Sequence, residues 1–470
     1  MARVSPARKA AFNILLAVER GKAHCDELLR EEAVDAMSQA DRNLTTTLVL
    51  GVLRWQIRLD VEIKSRLKKP NARLDAEVLI ALRLGAFQLL FLERIPVHAA
   101  IDESVELAKQ AGHRFAAAMV NAVLRNLAVL KGHDFSRAAS RPEPTEALAS
   151  GGRLAAEVSL AYAHPAWMVE RWAQFYGMDA ARAICRHGQG RPSVSVRIPG
   201  ADAEGELARD GITLGPGELL TAARTVLAGD VTSTAAFQAG RVRTQDEGSQ
   251  LIGELAARAA NSLNRDAKRI IDLCAAPGGK TLILAERNPE AQIVACESNA
   301  RRLEELRKRV APLASRMDCR LADATELNED SVFDVALADV PCSGTGTLGR
   351  NPEIRHRLRV EDLAHHAERQ RAILRAALRA VRLGGRVVYS TCSLEPEENE
   401  RVVSAVLANR GNARQVSLAA GIRASADRGI LTQDGAERLQ KCLTLEGALR
   451  LLPGLFQTDG FFVALIEKTA

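Results

Sequence analysis

Two cysteines of this 470-residue chain stand in segments whose residue types could do chemistry. Cys342 lies in Asp339-Val-Pro-Cys-Ser-Gly-Thr-Gly346, and Cys392 lies in Tyr389-Ser-Thr-Cys-Ser393. Each cysteine follows a short apolar run of the kind that forms a buried strand. A thiolate can add to carbon 6 of a cytosine and make carbon 5 nucleophilic, after which a second group assists release. The two segments therefore predict one nucleophilic and one assisting cysteine at the same edge of a sheet.

The remaining cysteines are predicted to be structural, because a lone buried cysteine usually behaves as a small apolar side chain. They are Cys25, Cys185, Cys274, Cys296, Cys319 and Cys442. No C-x-x-C pair occurs, so no metal is expected. The first seventeen residues predict an amphipathic helix instead of a signal peptide, and reduced thiols in a cytoplasmic protein are therefore expected.

The strongest glycine-rich segment is Asp272-Leu-Cys-Ala-Ala-Pro-Gly-Gly-Lys-Thr281, which follows a predicted strand and opens a predicted helix. A phosphate-binding P-loop would need a glycine where Cys274 stands, and the dinucleotide pattern G-x-G-x-x-G is absent. The turn therefore favours a nucleoside cofactor without a pyrophosphate. The turn residues predicted to border it are Cys274, Ala275, Ala276, Pro277, Gly278 and Gly279.

Two acids at the ends of the following strands complete the predicted cofactor site. Glu297 stands about twenty residues after the glycines, where a carboxylate can accept the ribose hydroxyls of a nucleoside. Asp323, in Leu321-Ala-Asp-Ala-Thr325, follows the next strand and is predicted to receive the adenine amino group. A single acid is more often a solvated surface carboxylate, but this order at successive strand ends favours a cofactor site.

The elements that must position these residues divide the chain into three parts. Residues 1–135 show 3.6-residue periodicity throughout and predict an all-α domain. Residues 132–158 have the composition of a linker, and residues 160–244 predict a small α+β module. From residue 245 to 470, apolar strands alternate with helices, which predicts an α/β domain with a parallel sheet. The predicted strands are Arg269–Leu273, Gln292–Cys296, Phe333–Ala338, Arg386–Tyr389 and a final one ending at Ile466, with a helix over Glu361–Arg382 ended by Gly384 and Gly385.

Composition sets weaker limits on function. The chain is 47% hydrophobic and 26% charged, with no apolar stretch of about eighteen residues, so no membrane span is expected. A net charge of +6 permits nucleic-acid binding without establishing it. Basic residues cluster at Lys64, Arg66, Lys68 and Lys69, and again at Arg350, Arg355, Arg357 and Arg359. Aromatic residues are only 4% of the chain, so contacts to RNA are expected to rest on phosphates.

Residues 245–470 closely resemble the RNA 5-methylcytosine methyltransferase family and its Rossmann-like domain. The resemblance runs from Gln245-Asp-Glu-Gly-Ser249 through the glycine turn and both cysteine segments to Asp459-Gly-Phe-Phe462. It implies S-adenosyl-L-methionine as the cofactor, Cys392 as the nucleophile and Cys342 as the residue that assists release. It also implies that Lys280 belongs to the cofactor loop, and that Asp339 lies against the target cytosine and the methionine end of the cofactor. Glu297 departs from the usual aspartate.

The N-terminal region resembles the NusB family of RNA-binding helical domains. The matching stretches include Leu82-Arg-Leu-Gly-Ala-Phe-Gln88 and Asn121-Ala-Val-Leu-Arg-Asn126. Fusion of the two domains implies an enzyme acting on bacterial 16S ribosomal RNA, and a monomer is expected because nothing in the sequence indicates an obligate partner. Arg350-Asn-Pro-Glu-Ile-Arg-His356 resembles the loop that the methyltransferase family places over the RNA site. Two alternatives stay open: methylation of tRNA or large-subunit ribosomal RNA, and a non-catalytic RNA-binding assembly factor.

Overall fold

The computed structural model describes residues 4–21, 24–129, 151–200, 202–263, 268–408 and 411–469. The chain divides into two compact units, one of residues 1–191 with 348–357 and one of residues 192–347 with 358–470. This division runs through the predicted α+β module of residues 160–244. The helices at the start of that module therefore lie in the first unit and its strands in the second.

The described elements alternate as the sequence pattern indicates. The helices are α1 (Pro6–Glu19), α2 (Cys25–Leu28), α3 (Glu32–Asp35), α4 (Gln39–Lys64), α5 (Ala76–Phe91), α6 (Val97–Gln110), α7 (Ala117–Ala128), α8 (Gly151–Ala161), α9 (Ala166–Tyr176), α10 (Met178–Gln189), α11 (Asp202–Arg209), α12 (Ala235–Gln238), α13 (Glu247–Asn261), α14 (Gly279–Arg287), α15 (Ala300–Val310), α16 (Ile354–Arg357), α17 (Asp362–Ala380), α18 (Glu400–Ala408), α19 (Ala419–Asp427) and α20 (Gln433–Gln440). The strands are β1 (Val194–Arg197), β2 (Thr213–Pro216), β3 (Ala223–Ala228), β4 (Arg243–Thr244), β5 (Arg269–Asp272), β6 (Gln292–Glu297), β7 (Met317–Leu321), β8 (Phe333–Asp339), β9 (Val381–Thr391), β10 (Ala413–Val416), β11 (Leu449–Leu451) and β12 (Phe461–Lys468).

The described part of the first unit is helical, which confirms the predicted all-α N-terminal domain. Helix α5 is buried along almost its whole length and packs against α4, α6 and α7. Helices α6 and α7 are separate although the 3.6-residue periodicity continues through both, because Gly112 has a φ of 97° and ends α6. Most of the predicted linker lies outside the described residues. The C-terminal part of the predicted linker is wrong, because helix α8 forms there. Ala155 and Val158 are buried at helical spacing on this helix.

The second unit contains two sheets. A four-stranded antiparallel sheet has the order β2-β3-β1-β4. The larger sheet has the order β10-β12-β9-β8-β5-β6-β7, with β11 paired to β12. Strands β7, β6, β5, β8 and β9 are parallel, whereas β12 runs antiparallel to β9. This mixed, mainly parallel sheet confirms the predicted α/β domain.

The glycine pair at residues 384 and 385 lies within strand β9 and not at the end of a helix. The predicted helix over Glu361–Arg382 ends at Ala380, and the strand begins at the next residue. Gly384 has a φ of 71°, and a Cβ on Gly385 would lie 2.7 Å from the carbonyl oxygen of Arg382. The glycines are therefore required by a sharp irregularity in the strand.

Helices cover both faces of the parallel sheet, so its strands carry apolar side chains on both sides. Ile270 and Val335 pack with helices α13 and α14 on one face. Ile271 and Ala336 pack with α17 and α18 on the other. This two-sided burial explains the near-continuous apolar runs in the sequence. Among the described residues, no helix is long and apolar enough to cross a bilayer, and no three His, Cys, Asp or Glu side chains are grouped to hold a metal ion.

Close packing of α4 on α5 gives a stability prediction. A Cβ on Gly51 would lie 2.0 Å from the ring of Phe87, so Gly51→Ala should destabilise the protein by about 1–3 kcal/mol through overpacking. Gly205→Ala is the control, because it adds a methyl group to helix α11 where no atom lies within 4 Å. That substitution should stabilise slightly. Thermal unfolding of both variants checks this, and equal midpoints would contradict the proposed close packing.

Candidate active site

The carboxyl ends of four parallel strands bring the predicted site residues to one edge of the sheet. Strand β5 ends at Asp272, β6 at Glu297, β8 at Asp339 and β9 at Thr391. Strands β5 and β8 are neighbours although β6 and β7 lie between them in the chain, so the chain reverses its winding direction there. In open α/β sheets a ligand binds in the crevice at such a reversal.

The glycine turn follows β5 and leads directly into helix α14. Gly278 has a φ of 98°, and a Cβ there would lie 2.8 Å from the side chain of Leu306. The backbone N–H of Ala275 donates to the carbonyl of Cys296 at 2.9 Å, which fixes the turn against β6. A larger residue at position 278 is therefore excluded by both conformation and space. Burial raises the pKa of the Cys274 thiol well above its usual value, so this cysteine stays protonated.

Asp272 supports the turn from inside the sheet. Its buried carboxylate accepts hydrogen bonds from the Thr281 hydroxyl at 2.7 Å and from the backbone N–H of Cys274 at 3.4 Å. Burial raises the pKa of Asp272 to about 6, although the bond from Thr281 opposes this effect. The residue therefore links the two ends of the turn and was not predicted as a site residue.

Asp339 is held by charge and by hydrogen bonding. Its carboxylate accepts the Lys280 ammonium at 2.6 Å and the Ser390 hydroxyl at 2.7 Å. Burial lowers the pKa of Lys280, but the adjacent Asp339 carboxylate outweighs burial and raises it overall. Lys280 therefore remains a cation, and the ion pair joins the glycine turn to the end of β8.

The two predicted reactive cysteines lie side by side. The sulfur atoms of Cys342 and Cys392 are 3.3 Å apart, and both cysteines are free and half-buried. Hydrogen bonding to the Cys392 sulfur, together with burial, raises the pKa of Cys342 well above its usual value. Cys342 is therefore the protonated partner that can donate to the sulfur of Cys392.

A buried glutamate that the sequence analysis missed connects the two cysteine segments. The Glu398 carboxylate accepts the backbone N–H of Ser343 at 2.8 Å and the side-chain amide of Gln370 at 2.9 Å. It also accepts the hydroxyls of Ser343 and Ser393. These serines directly follow Cys342 and Cys392. Glu398 is one acid in an acid-rich run in which Glu395 is also buried, and nothing in the run itself marks Glu398 as the one that joins the two segments.

The two acids predicted to hold the nucleoside lie at different degrees of exposure. Glu297 is buried and accepts the backbone N–H of Asn299 at 2.9 Å, with Arg302 at 3.7 Å. Asp323 is more exposed, and hydrogen bonds from the backbone N–H and hydroxyl of Thr325 lower its pKa. Both carboxylates are thus available as acceptors of hydroxyl or amino groups at the ends of β6 and β7.

The predicted RNA loop belongs to the first unit, and its arginines are not all surface cations. Arg355 is buried and donates to the carbonyls of Gly188 at 2.6 Å and Arg54 at 3.1 Å. Burial lowers the pKa of Arg355 to about 9. Glu353 accepts the Cys25 thiol at 3.0 Å. Arg355 therefore anchors the loop by backbone contacts, and its inclusion in a basic cluster that grips phosphates is wrong.

Comparisons with known proteins find relatives for both parts of the chain. A family model described as 16S rRNA methyltransferase RsmB/F matches residues 261–467, and a NusB family model matches residues 5–129. The chain is 32% identical to the probable ribosomal RNA small subunit methyltransferase B of Bacillus subtilis (strain 168), covering 98% of each chain. It is 33% identical to ribosomal RNA small subunit methyltransferase B of Pseudomonas putida, covering 91% of this chain and 95% of the other.

Solved structures show the same fold. The crystal structure of PH0851 covers 99% of this chain and is itself fully covered, with a TM-score of 0.76 at 23% identity. The crystal structure of NSun6 from Pyrococcus horikoshii with SFG covers 65% of this chain, and 98% of that chain is covered, with a TM-score of 0.53 at 18% identity.

Fold, site and comparisons together define an S-adenosylmethionine-dependent methyltransferase. The residues fit this cofactor, because acids at the ends of β6 and β7 can accept hydroxyl and amino groups and the glycine turn lets backbone approach closely. The chain belongs to the ribosomal RNA small subunit methyltransferase B family, with a NusB domain preceding the methyltransferase domain.

The raised pKa of Asp272 gives a pH prediction. An acid whose pKa rises from 3.8 to about 6 on folding favours the folded state while protonated, and this stabilisation is lost as the pH rises from about 4 to 6. The free energy of unfolding of Asp272→Asn, minus that of the native chain, should therefore increase by roughly 3 kcal/mol across that range. The difference should level off above it. Denaturant unfolding at successive pH values checks this, and a pH-independent difference would contradict it.

Proposed function

We propose that this enzyme transfers a methyl group from S-adenosyl-L-methionine to carbon 5 of a cytosine in bacterial 16S ribosomal RNA. The observation that carries the proposal is the pair of free thiols, 3.3 Å apart, at the sheet edge that holds the glycine turn. When bound, the cofactor supplies a methyl group on a sulfonium. Cys392 is the nucleophile and Cys342 assists release.

The reaction follows from the properties of cysteine and cytosine. The Cys392 thiolate bonds to carbon 6, and the electrons of the C5–C6 double bond make carbon 5 nucleophilic. Carbon 5 takes the methyl group as the bond between that group and the cofactor sulfur breaks. Removal of the carbon 5 proton then restores the double bond, and the bond between Cys392 and carbon 6 breaks.

The contact between the sulfurs explains how Cys342 can change its role. Its proton is held chiefly by the hydrogen bond to the Cys392 sulfur. Once that sulfur is bonded to carbon 6, it no longer carries a negative charge and accepts the proton poorly. Cys342 can then lose its proton to solvent and act as the base that accepts the carbon 5 proton.

The remaining site residues bind and orient. Glu297 accepts the ribose hydroxyls, Asp323 receives the adenine amino group, and the turn from Cys274 to Lys280 borders the cofactor. Asp339 lies against the cytosine and the methionine end of the cofactor. Support comes from the ion pair between Lys280 and Asp339, which fixes that carboxylate before either molecule binds.

The choice of 16S ribosomal RNA rests on the names of the relatives that match over nearly the whole chain. The tRNA and large-subunit alternatives have no such support, and an inactive assembly factor would not be expected to keep both cysteines and the glycine turn. In the NusB domain, the exposed Lys64, Lys68 and Lys69 are proposed to contact phosphates. We expect a cytoplasmic monomer.

The cysteine assignment predicts a trapped complex. Cys342→Ala, incubated with the methyl donor and 16S ribosomal RNA, should accumulate a denaturation-resistant protein–RNA adduct, because formation proceeds and release is impaired. The adduct should be absent in the Cys342→Ala/Cys392→Ala double variant and with tRNA. Gel electrophoresis under denaturing conditions measures it. Full activity of Cys392→Ala, with no adduct on any RNA, would overturn the assignment.

The ribose contact predicts a loss of cofactor affinity. Glu297→Gln removes the charge from the acceptor, and a hydrogen bond to a charged group contributes about 1.5–3 kcal/mol, so affinity should fall about tenfold or more. Glu305→Gln is the control, because Glu305 lies exposed on α15. Titration calorimetry with S-adenosylmethionine compares the two. Equal affinities would remove Glu297 from the cofactor site.

A further inference from the structure

We propose that Glu398 is a positioning residue that sets the relative placement of the two active-site sulfurs and helps assign their different roles. The proposal rests on the function proposed above for Cys342 and Cys392. Glu398 touches neither sulfur. It acts through Ser343 and Ser393, the residues that directly follow the cysteines.

The carboxylate is fully occupied by donors that come from separate parts of the second unit. One oxygen accepts the backbone N–H of Ser343 and the amide of Gln370, and the other accepts the hydroxyls of Ser343 and Ser393. The two hydroxyl oxygens are 3.0 Å apart. Glu398 is completely buried, and hydrogen bonds from four groups offset the cost of removing a carboxylate from water.

Glu398 is itself held in place, so it can hold others. Its carbonyl accepts the hydroxyl of Tyr389 at 2.5 Å, and the adjacent Asn399 donates to the carbonyl of Ser393 at 2.9 Å. Tyr389 is buried on strand β9, three residues before Cys392. The Glu398 carboxylate is thus fixed relative to β9. Its contacts with Ser343 fix the segment that holds Cys342 relative to the same strand.

Two further hydrogen bonds join the cysteine segments. The backbone N–H of Gly346 donates to the carbonyl of Cys392 at 2.9 Å, and that of Leu394 donates to the Thr345 hydroxyl at 2.8 Å. These contacts align the backbones of the segments, whereas the Glu398 contacts hold side chains of both segments on one carboxylate. Reactive groups must be held to within a fraction of an ångström, and a 1 Å misplacement costs roughly 100-fold in rate.

The charge of Glu398 also acts on Cys342. It contributes to the raised pKa of Cys342, after the larger effects of the hydrogen bond with Cys392 and of burial. A negative charge near Cys342 disfavours the ionisation of that thiol. Glu398 therefore acts by geometry on both segments and by charge on Cys342.

Serine substitutions separate this role from a general effect on folding. Ser393→Ala should slow adduct formation about tenfold without accumulating the adduct, because it loosens the nucleophile. Ser343→Ala should lower turnover by a similar factor while the adduct fraction rises, because it loosens the residue that assists release. Both leave Glu398 three of its four bonds. Ser404→Ala, at an exposed serine on α18, is the matched control and should match the native enzyme.

Alkylation of Cys342 tests the effect of the Glu398 charge in the absence of RNA. Glu398→Gln removes the charge and keeps the shape of the side chain. The hydroxyls of Ser343 and Ser393 can rotate to accept hydrogen bonds from the new amide. Iodoacetamide should then modify Cys342 at lower pH than in the native chain, as read by mass spectrometry. Glu397→Gln, at the neighbouring half-buried acid paired with Arg401, should leave that profile unchanged.

The outcomes distinguish failure of the proposal from failure of the cysteine roles. The proposal is overturned if both serine variants turn over within twofold of the native enzyme, or if both lose turnover with the same adduct fraction. If Cys342→Ala forms no adduct, the cysteine roles fail and alkylation alone decides. An unchanged Cys342 profile in Glu398→Gln overturns the proposal in that case, and if that variant does not fold, the serine variants decide.

Discussion

The active site depends on one constraint: strands that run parallel must end at the same edge of the sheet. Glu297, Asp339 and Cys392 are far apart in sequence, yet each stands at or just after the end of a parallel strand. The reversal of winding between β5 and β8 opens a crevice at this edge. Every functional group therefore needs only a short turn to reach its neighbours, which explains why the turns themselves carry the conspicuous sequence motifs.

Carboxylates then convert this shared edge into a fixed arrangement. Asp339 and Glu398 accept hydrogen bonds from residues that follow a different strand or belong to a different segment, and Asp272 accepts the hydroxyl of Thr281 at the far end of the glycine turn. A buried carboxylate without donors would be too costly, so the buried Asp272 and Glu398 require their partners to be in place. The result is that the glycine turn, the end of β8 and the end of β9 cannot shift independently.

The sequence was sufficient for features that are local and insufficient for those that depend on distant partners. Strand positions, the glycine turn and both cysteine segments could be predicted from apolar runs and flanking motifs. Glu398 and Arg355 could not. Glu398 stands among other acids, and what distinguishes it is its contact with Ser343 and Gln370, which are distant in sequence. Arg355 resembles a surface cation in the sequence, and only the folded structure shows that it donates to the buried carbonyl of Gly188. Likewise, Gly384 marked a helix end by pattern, whereas a strand irregularity required it.

Close contact between the cysteines imposes a sequence of events on the proposed reaction. Two thiolates 3.3 Å apart would repel each other by roughly 5 kcal/mol at an effective dielectric constant of 20, so only one sulfur can be ionised at a time. While Cys392 is the thiolate, Cys342 must hold a proton. When Cys392 becomes bonded to carbon, the repulsion disappears and Cys342 becomes free to ionise. In the proposed mechanism, this single short distance makes the second cysteine a base only after the first has reacted.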